Sequence, residues 1–128
     1  EQKTARAVAV AILGASDKEE RYAYRALKLL QENGYKVLPV HPRIKKIDGL
    51  PVFPRLADIP KDSPVDTLTL YVNGATVLES ISDILNLRPR RVIMNPGTEN
   101  ASATRQLADQ GIEVLEACTL VMLKTGQF

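Results

Sequence analysis

Gly14-Ala15-Ser16 follows directly on the apolar run Ala7 to Leu13, and it is the first place in this chain where chemistry could sit. Small residues let a ligand approach the backbone. A turn that leads into a helix also aims free N–H groups at the ligand, an arrangement that attracts phosphate. Ser16 adds a hydroxyl donor. Taken alone, the same residues could serve only the chain, with Gly14 making the turn and Ser16 capping the helix. A second small-residue turn, Asn95-Pro96-Gly97, closes the apolar run Arg91 to Met94. Two such loops converging where the strand order of a sheet reverses favour a binding site.

The kind of nucleotide follows from what surrounds the first loop. A dinucleotide fingerprint needs glycine at its first, third and sixth positions, which here are Gly14, Ser16 and Glu19. Only the first matches. An NAD site also wants an acidic residue at the end of the second strand, whereas this chain has His41-Pro42-Arg43, with Lys45 and Lys46 just beyond. A basic edge suits a ligand with an extra ribose phosphate, such as CoA or NADP. Lys45 and Lys46 could equally decorate a surface loop. Gly14 is not followed by the Gly-Lys-Ser/Thr of a phosphate-binding ATPase loop.

Catalytic groups are scarce. Cys118 and His41 are the only cysteine and the only histidine, and nothing in the sequence brings them together. Cys118 begins the apolar stretch Cys118-Thr119-Leu120-Val121-Met122 and reads as a small core residue. His41, beside Pro42, reads as a loop or ligand-contact residue. One histidine and one cysteine give no metal site of the usual spacing. The acidic residues scatter over predicted helices and loops, where a solvated face is the default. These residues point to binding without a catalytic constellation.

The elements that must position the two loops alternate. Ala7–Leu13 reads as a strand buried on both faces. Glu20–Asn33 carries Ala23, Ala26, Leu27 and Leu30 at helical spacing and stops at Gly34. Tyr35–Val40 is a second strand. The segment Arg43–Pro64, with four prolines, is a connection holding one short strand near Val52-Phe53 and a helical turn around Leu56–Ile59. Asp66–Val72 alternates as a third strand, with Leu68, Leu70 and Val72 on one side. Thr76 and Glu79 suggest a capping box for a helix through Leu85. Arg91–Met94 is a fourth strand. Thr98 could cap a helix through about Gln110, stopped by Gly111, and Ile112–Leu115 is a fifth strand. Cys118–Phe128 is assigned to no element. This order predicts a three-layer α/β fold with a doubly wound parallel sheet of the common order 3-2-1-4-5.

The 128 residues fit one domain spanning 1–128, and 45% apolar with 25% charged residues is enough for a globular core. A net charge of +2 is too weak to imply a nucleic-acid or membrane surface. A single cysteine suits the reducing cytoplasm, and no apolar run reaches the roughly 20 residues that cross a bilayer. Glu1-Gln2-Lys3-Thr4 leads into a strand-like run rather than a signal peptide's apolar core.

The blocks VAVAILGAS, ERYAYRALKLLQENGYKVLPVHP, VDTLTLYVN, RRVIMNPGTEN and GIEVLEACTLVML, in this order and spacing, resemble the single-domain CoA-binding proteins. That family is related to the N-terminal domain of the succinyl-CoA synthetase α subunit and to the CoA-binding domains of ADP-forming acyl-CoA synthetases. The resemblance runs from about Val8 to Phe128. It implies a Rossmann-like domain that holds coenzyme A, free or acylated, as a carrier, sensor or regulatory module. By position, Gly14, Ala15 and Ser16 would take the pyrophosphate, with Tyr22 and Arg25 nearby on the following helix. His41, Pro42 and Arg43 would border the adenosine and its 3′-phosphate. Tyr71, Val72 and Asn73 would line the adenine side, and Asn95, Pro96 and Gly97 the pantetheine path. Two departures stand out: many relatives carry a Met-Gln-x-Gly-type loop where this chain has Met94-Asn95-Pro96-Gly97, and many have Asn in place of His41. The multidomain synthetases use a phosphorylated histidine from another domain, which these residues do not include. An NADP- or acyl-CoA-dependent enzyme, and an interaction module with a vestigial nucleotide site, remain as alternatives.

Overall fold

Alternation along the strands sets the layers. A computed structural model of the chain describes residues 8–128, so Glu1–Thr4 and the Ala7 end of the first predicted strand lie outside the described residues. The chain runs β1 (Ala9–Leu13), α1 (Tyr22–Glu32), β2 (Lys36–Val40), then the short pair β3 (Lys46–Ile47) and β4 (Leu50–Pro51). A 3-10 turn at Leu56–Asp58 leads to β5 (Thr67–Leu70), α2 (Gly74–Glu79), α3 (Ile81–Leu87) and β6 (Arg91–Met94). The chain continues through α4 (Ala101–Asp109), β7 (Glu113–Glu116) and α5 (Thr119–Lys124). Five strands pair in parallel in the order β2-β1-β5-β6-β7, while β3 and β4 form a separate antiparallel ribbon.

One face of the sheet presents Ala9, Ala11, Leu38, Val40, Leu68, Leu70, Val92 and Met94 to Val77, Ile84, Ala103 and Leu107 of α2, α3 and α4. The other face presents Val10, Ile12 and Val37 to Ala23, Leu27 and Leu30 of α1, with Leu123 of α5 packed alongside. This is the three-layer, Rossmann-like α/β architecture expected from the alternation of elements.

The strand order corrects one expectation. Taken as they occur in the chain, the five strands lie 2-1-3-4-5, not 3-2-1-4-5. Pro39 gives the physical reason. It has no N–H to donate, so a strand containing it belongs at an edge. Phe53 covers that edge in place of a strand: its N–H donates to the Pro39 carbonyl and its carbonyl accepts from the His41 N–H, both at 3.0 Å. The third strand must therefore pair with the free side of β1.

Two caps and one helix also differ from the sequence reading. Asn73, not Thr76, caps α2, its Oδ1 accepting from the Thr76 N–H at 2.9 Å. The predicted long helix breaks at Ser80 into α2 and α3. Asn100, not Thr98, caps α4 by accepting from the Ala103 N–H at 2.9 Å. Asparagine and threonine are both good caps, so spacing alone does not choose between near neighbours.

On the α1/α5 face, β5 and β6 carry polar side chains, and one of them joins three elements. Asn95, just past β6, is 3% exposed. Its Nδ2 donates to Thr69 Oγ1 at 2.6 Å and to the Leu70 carbonyl at 2.8 Å. Its Oδ1 accepts from the Thr119 N–H at 2.8 Å, and the Thr119 and Thr69 hydroxyls bond each other at 2.7 Å. The ends of β5 and β6 and the start of α5 thus hang on one amide. Asn95→Ala strands the Leu70 carbonyl and the Thr119 N–H inside the protein, and it should cost about 2–4 kcal/mol of stability. Urea unfolding of the two proteins measures this.

Candidate functional site

Because β1 is flanked by β2 and β5, the reversal of strand order falls between β1 and β5. The loop facing Gly14 there is Tyr71-Val72-Asn73, and Asn95-Pro96-Gly97 lies one strand further on. Gly14 has φ +89°, and a Cβ on it would lie 2.8 Å from both the Tyr71 carbonyl oxygen and Val72 Cγ1. Only glycine fits this position. The Gly14 and Ala15 N–H groups both donate to the Val40 carbonyl at 3.1 Å, so they tie the turn to β2. Ala15 is buried, Ser16 is half-buried, and Asp17 is the first exposed residue of the loop. Ser16 does not cap α1, which begins only at Tyr22; its Oγ accepts from the Lys18 N–H at 3.1 Å. The turn therefore leads into a second, exposed turn and not straight into a helix N-terminus.

At the end of β2, His41 is half-buried while Pro42 and Arg43 are exposed. His41 Nδ1 accepts from the backbone N–H groups of Arg43 (3.0 Å) and Ile44 (3.1 Å). An asparagine Oδ1 can make the same kind of turn, which explains how histidine stands where many relatives have Asn. With Nδ1 used as an acceptor, Nε2 carries the proton and is free to donate. Burial, and then the charge of Arg43, lower the His41 pKa below 6.5, while Asp17 opposes them.

The structure thus gathers Gly14, Ala15 and Ser16, His41, Pro42 and Arg43, and Tyr71, Val72 and Asn73 at the ends of three adjacent strands. Their roles differ. Val72 packs into the α2–α4 core, Asn73 caps α2, and the Tyr71 side chain turns to the α1/α5 face.

That face holds a groove of about 740 Å³ between α1 and α5, a size common for ligand pockets. Four further sequence-derived residues line it with Tyr71, namely Tyr22, Arg25, Asn95 and Pro96. Arg25 sits 5.6 Å from the centre of the exposed Tyr22 ring. Gly97 is not part of the groove; it makes an exposed turn, its N–H donating to Glu99 Oε1 at 3.0 Å. The sequence reading missed Lys28, Leu29, Leu120, Val121 and Lys124, which also line the groove. Leu120–Leu123 is an unbroken apolar run in a helix of six residues, too short and too uniform for its period to show. Cys118 is a correction as well. It is half-buried and lines the groove instead of filling the core.

Two tyrosines carry the electrostatics of this face. The Tyr24 hydroxyl donates to Asp48 at 2.6 Å, and Lys28 lies 3.0 Å from the same oxygen, tying α1 to the turn between β3 and β4. The Asp48 bond pushes the Tyr24 pKa up to about 12. Burial does the same for Tyr71, also to about 12, with the Thr119 and Thr69 hydroxyls opposing. Both phenols stay protonated at neutral pH. His41 and Cys118 stand beyond opposite edge strands, four inter-strand spacings or about 19 Å apart, so they form no nucleophilic pair. Among the described residues, no cluster of His, Cys, Asp and Glu could hold a metal ion, and no helix is long and apolar enough to cross a membrane.

A parallel five-stranded sheet covered on both faces, with a glycine turn at its reversal point and a groove beside it, defines a Rossmann-like ligand-binding domain. The chain belongs to the CoA binding domain family, whose sequence model matches residues 8–124. It is similar to the uncharacterized protein YneT of Bacillus subtilis (strain 168), 24% identical over 106 residues, which cover 83% of this chain and 77% of that protein. A crystal structure of an uncharacterized protein is 39% identical with a TM-score of 0.87, covering 95% of this chain and 98% of the other. The fold also matches acetyl-coenzyme A synthetase 1 of Ca. Korarchaeum cryptofilum in complex with phosphate and ADP. There the identity is 25% and the TM-score 0.73, over 85% of this chain but only 25% of the synthetase chain.

The His41 geometry sets a pH dependence. Since the fold lowers the pKa of His41, the folded chain takes up that proton at lower pH than the unfolded chain does. Its stabilisation is complete above about pH 6.5 and fades as the pH falls through the lower folded value. The slope should be well under the ~1.4 kcal/mol per pH unit that one proton allows, because the ring is partly solvent-screened. Urea midpoints between about pH 7.5 and 5 should fall for the native chain and stay flatter for His41→Asn.

Proposed function

We propose that this domain binds coenzyme A across the ends of β2, β1 and β5, with the pantetheine arm running over Tyr71 and Asn95-Pro96 into the α1/α5 groove. The observation that supports this reading is the position of Tyr71, whose backbone lies so close to the Gly14 turn that only glycine fits there and whose side chain lines the groove. Ser16 and the N–H groups that follow it face the pyrophosphate. His41 Nε2–H and Arg43 face the adenosine and its 3′-phosphate, the group that separates CoA from its dephospho form. Arg25 and Lys28 line the side along which the arm leaves.

The role is that of a binding module, a carrier or sensor, and not a ligase. Family membership supports the ligand class, and the separation of His41 from Cys118 supports a site without a nucleophilic pair.

CoA should raise the melting temperature, because a ligand at about 100 times its Kd adds about 2.7 kcal/mol to the folded state. Dephospho-CoA should raise it less. Ser16→Asp, which sets a carboxylate where the pyrophosphate would lie, should abolish the shift. No shift with CoA beside a clear one with NADPH sinks the proposal.

A further inference from the structure

The bridge from β2 to the β3–β4 ribbon hangs on one imidazole. Upstream it is pinned where the His41 N–H donates to the Phe53 carbonyl at 3.0 Å, and downstream where the Lys45 carbonyl accepts from the Val52 N–H at 3.0 Å. Between these points Pro42 has no N–H, and the Arg43 and Ile44 N–H groups both go to His41 Nδ1, at 3.0 and 3.1 Å. Among the described residues they have no other partner. A neutral imidazole accepts at Nδ1 only while its proton sits on Nε2. The imidazolium carries a proton on both nitrogens, so Nδ1 then turns a third N–H toward the two it had held. One proton thus removes both bonds. Asparagine, which many relatives have here, accepts in the same place through an amide oxygen that does not titrate.

The charged groups acting on the ring are Arg43 of its own turn and Asp17 from the loop after β1, while Phe53 on the covered edge is uncharged. Burial and Arg43 favour the neutral ring, and Asp17 opposes them. A phosphate bound beside the ring also favours the charged form, but an exposed ion pair is worth less than two hydrogen bonds. We infer that His41 is a positioning residue that works as a proton-operated catch. While neutral, it holds Pro42, Arg43 and Ile44 in the turn that sets Arg43 beside the ligand's 3′-phosphate. Once protonated, it lets the turn open and the grip on the ligand weakens. This rests on the CoA reading above and adds a regulation to the same site.

Calorimetric titration of CoA at about pH 7.5 and about pH 5, on the native protein and on His41→Asn, tests it. The ligand's own phosphate takes up a second proton near about pH 6 and weakens binding to both proteins, so the ratio of the two affinities is the quantity to read. At the higher pH the native protein should bind about fivefold tighter, the scale of the one hydrogen bond that Nε2–H adds. At the lower pH that advantage should be gone. A ratio that stays flat, or that rises because the charged ring attracts phosphate, would overturn the inference while CoA binding stands. NMR of the ligand-free protein gives a measurement that does not depend on CoA. On acidification the Arg43 and Ile44 amides should shift together with the His41 ring and lose their protection from hydrogen exchange. In His41→Asn they should do neither. Amides that stay protected while the ring titrates would overturn the inference as well. If CoA binds at neither pH, the CoA reading falls and takes this inference with it.

Discussion

One buried amide holds the carboxyl-terminal edge of the sheet in place. Strands β5 and β6 stop after four residues each, and α5 is only six residues long, so none of them fixes its own end by length. Asn95 supplies what they lack. It satisfies a hydroxyl and a carbonyl on β5 and an N–H at the start of α5, all out of reach of water. An apolar residue of similar size would fill the space but leave those groups unpaired, and unpaired buried groups cost more than a made bond returns. The position of α5, and with it one wall of the groove, follows from this network.

The same network explains why the two faces of the sheet differ. Behind β5 and β6, Leu68, Leu70, Val92 and Met94 form an ordinary apolar layer under α2, α3 and α4. In front, Thr67, Thr69 and Arg91 face α5 and the last residue. Arg91 donates to Thr67 Oγ1 at 2.8 Å and to the Phe128 carbonyl at 2.7 Å, with its guanidinium 4.4 Å from the centre of the Phe128 ring. A polar layer is held by directed bonds and not by close filling. It can hold a helix at a fixed distance and leave a gap beside it, whereas an apolar layer tends to close such gaps. The groove opens where directed bonds replace filling.

Much of this was legible in the residues. The apolar runs, the alternation of Leu68, Leu70 and Val72, the helix on Ala23, Ala26, Leu27 and Leu30, and the turn at Gly14 all follow from period and from residues with few conformational options. Pro39 carried the strand order too, since a proline inside a strand marks an edge, but the signal is one residue in a run that otherwise looks buried. Caps were displaced by two or three positions because Asn73 and Asn100 compete with Thr76 and Thr98 on nearly equal terms. The groove was the least legible part. It depends on where α5 lies, which depends on a side-chain network between residues 24 to 50 positions apart, and no local pattern encodes that.

The two departures from the family pattern have opposite consequences for the ligand. At position 41, histidine keeps the turn that an asparagine would make, through Nδ1, and gains a free Nε2–H on the outer side. If CoA lies as proposed, this donor is added on the side of its 3′-phosphate. At position 95, the amide is committed inward, with both Nδ2 hydrogens used and Oδ1 bonded to the Thr119 N–H. It can offer little to a ligand, and Pro96 beside it has no N–H to offer. The loop after β6 therefore has few donors of its own. What Asn95 positions instead is the start of α5, whose Leu120 and Val121 line the groove.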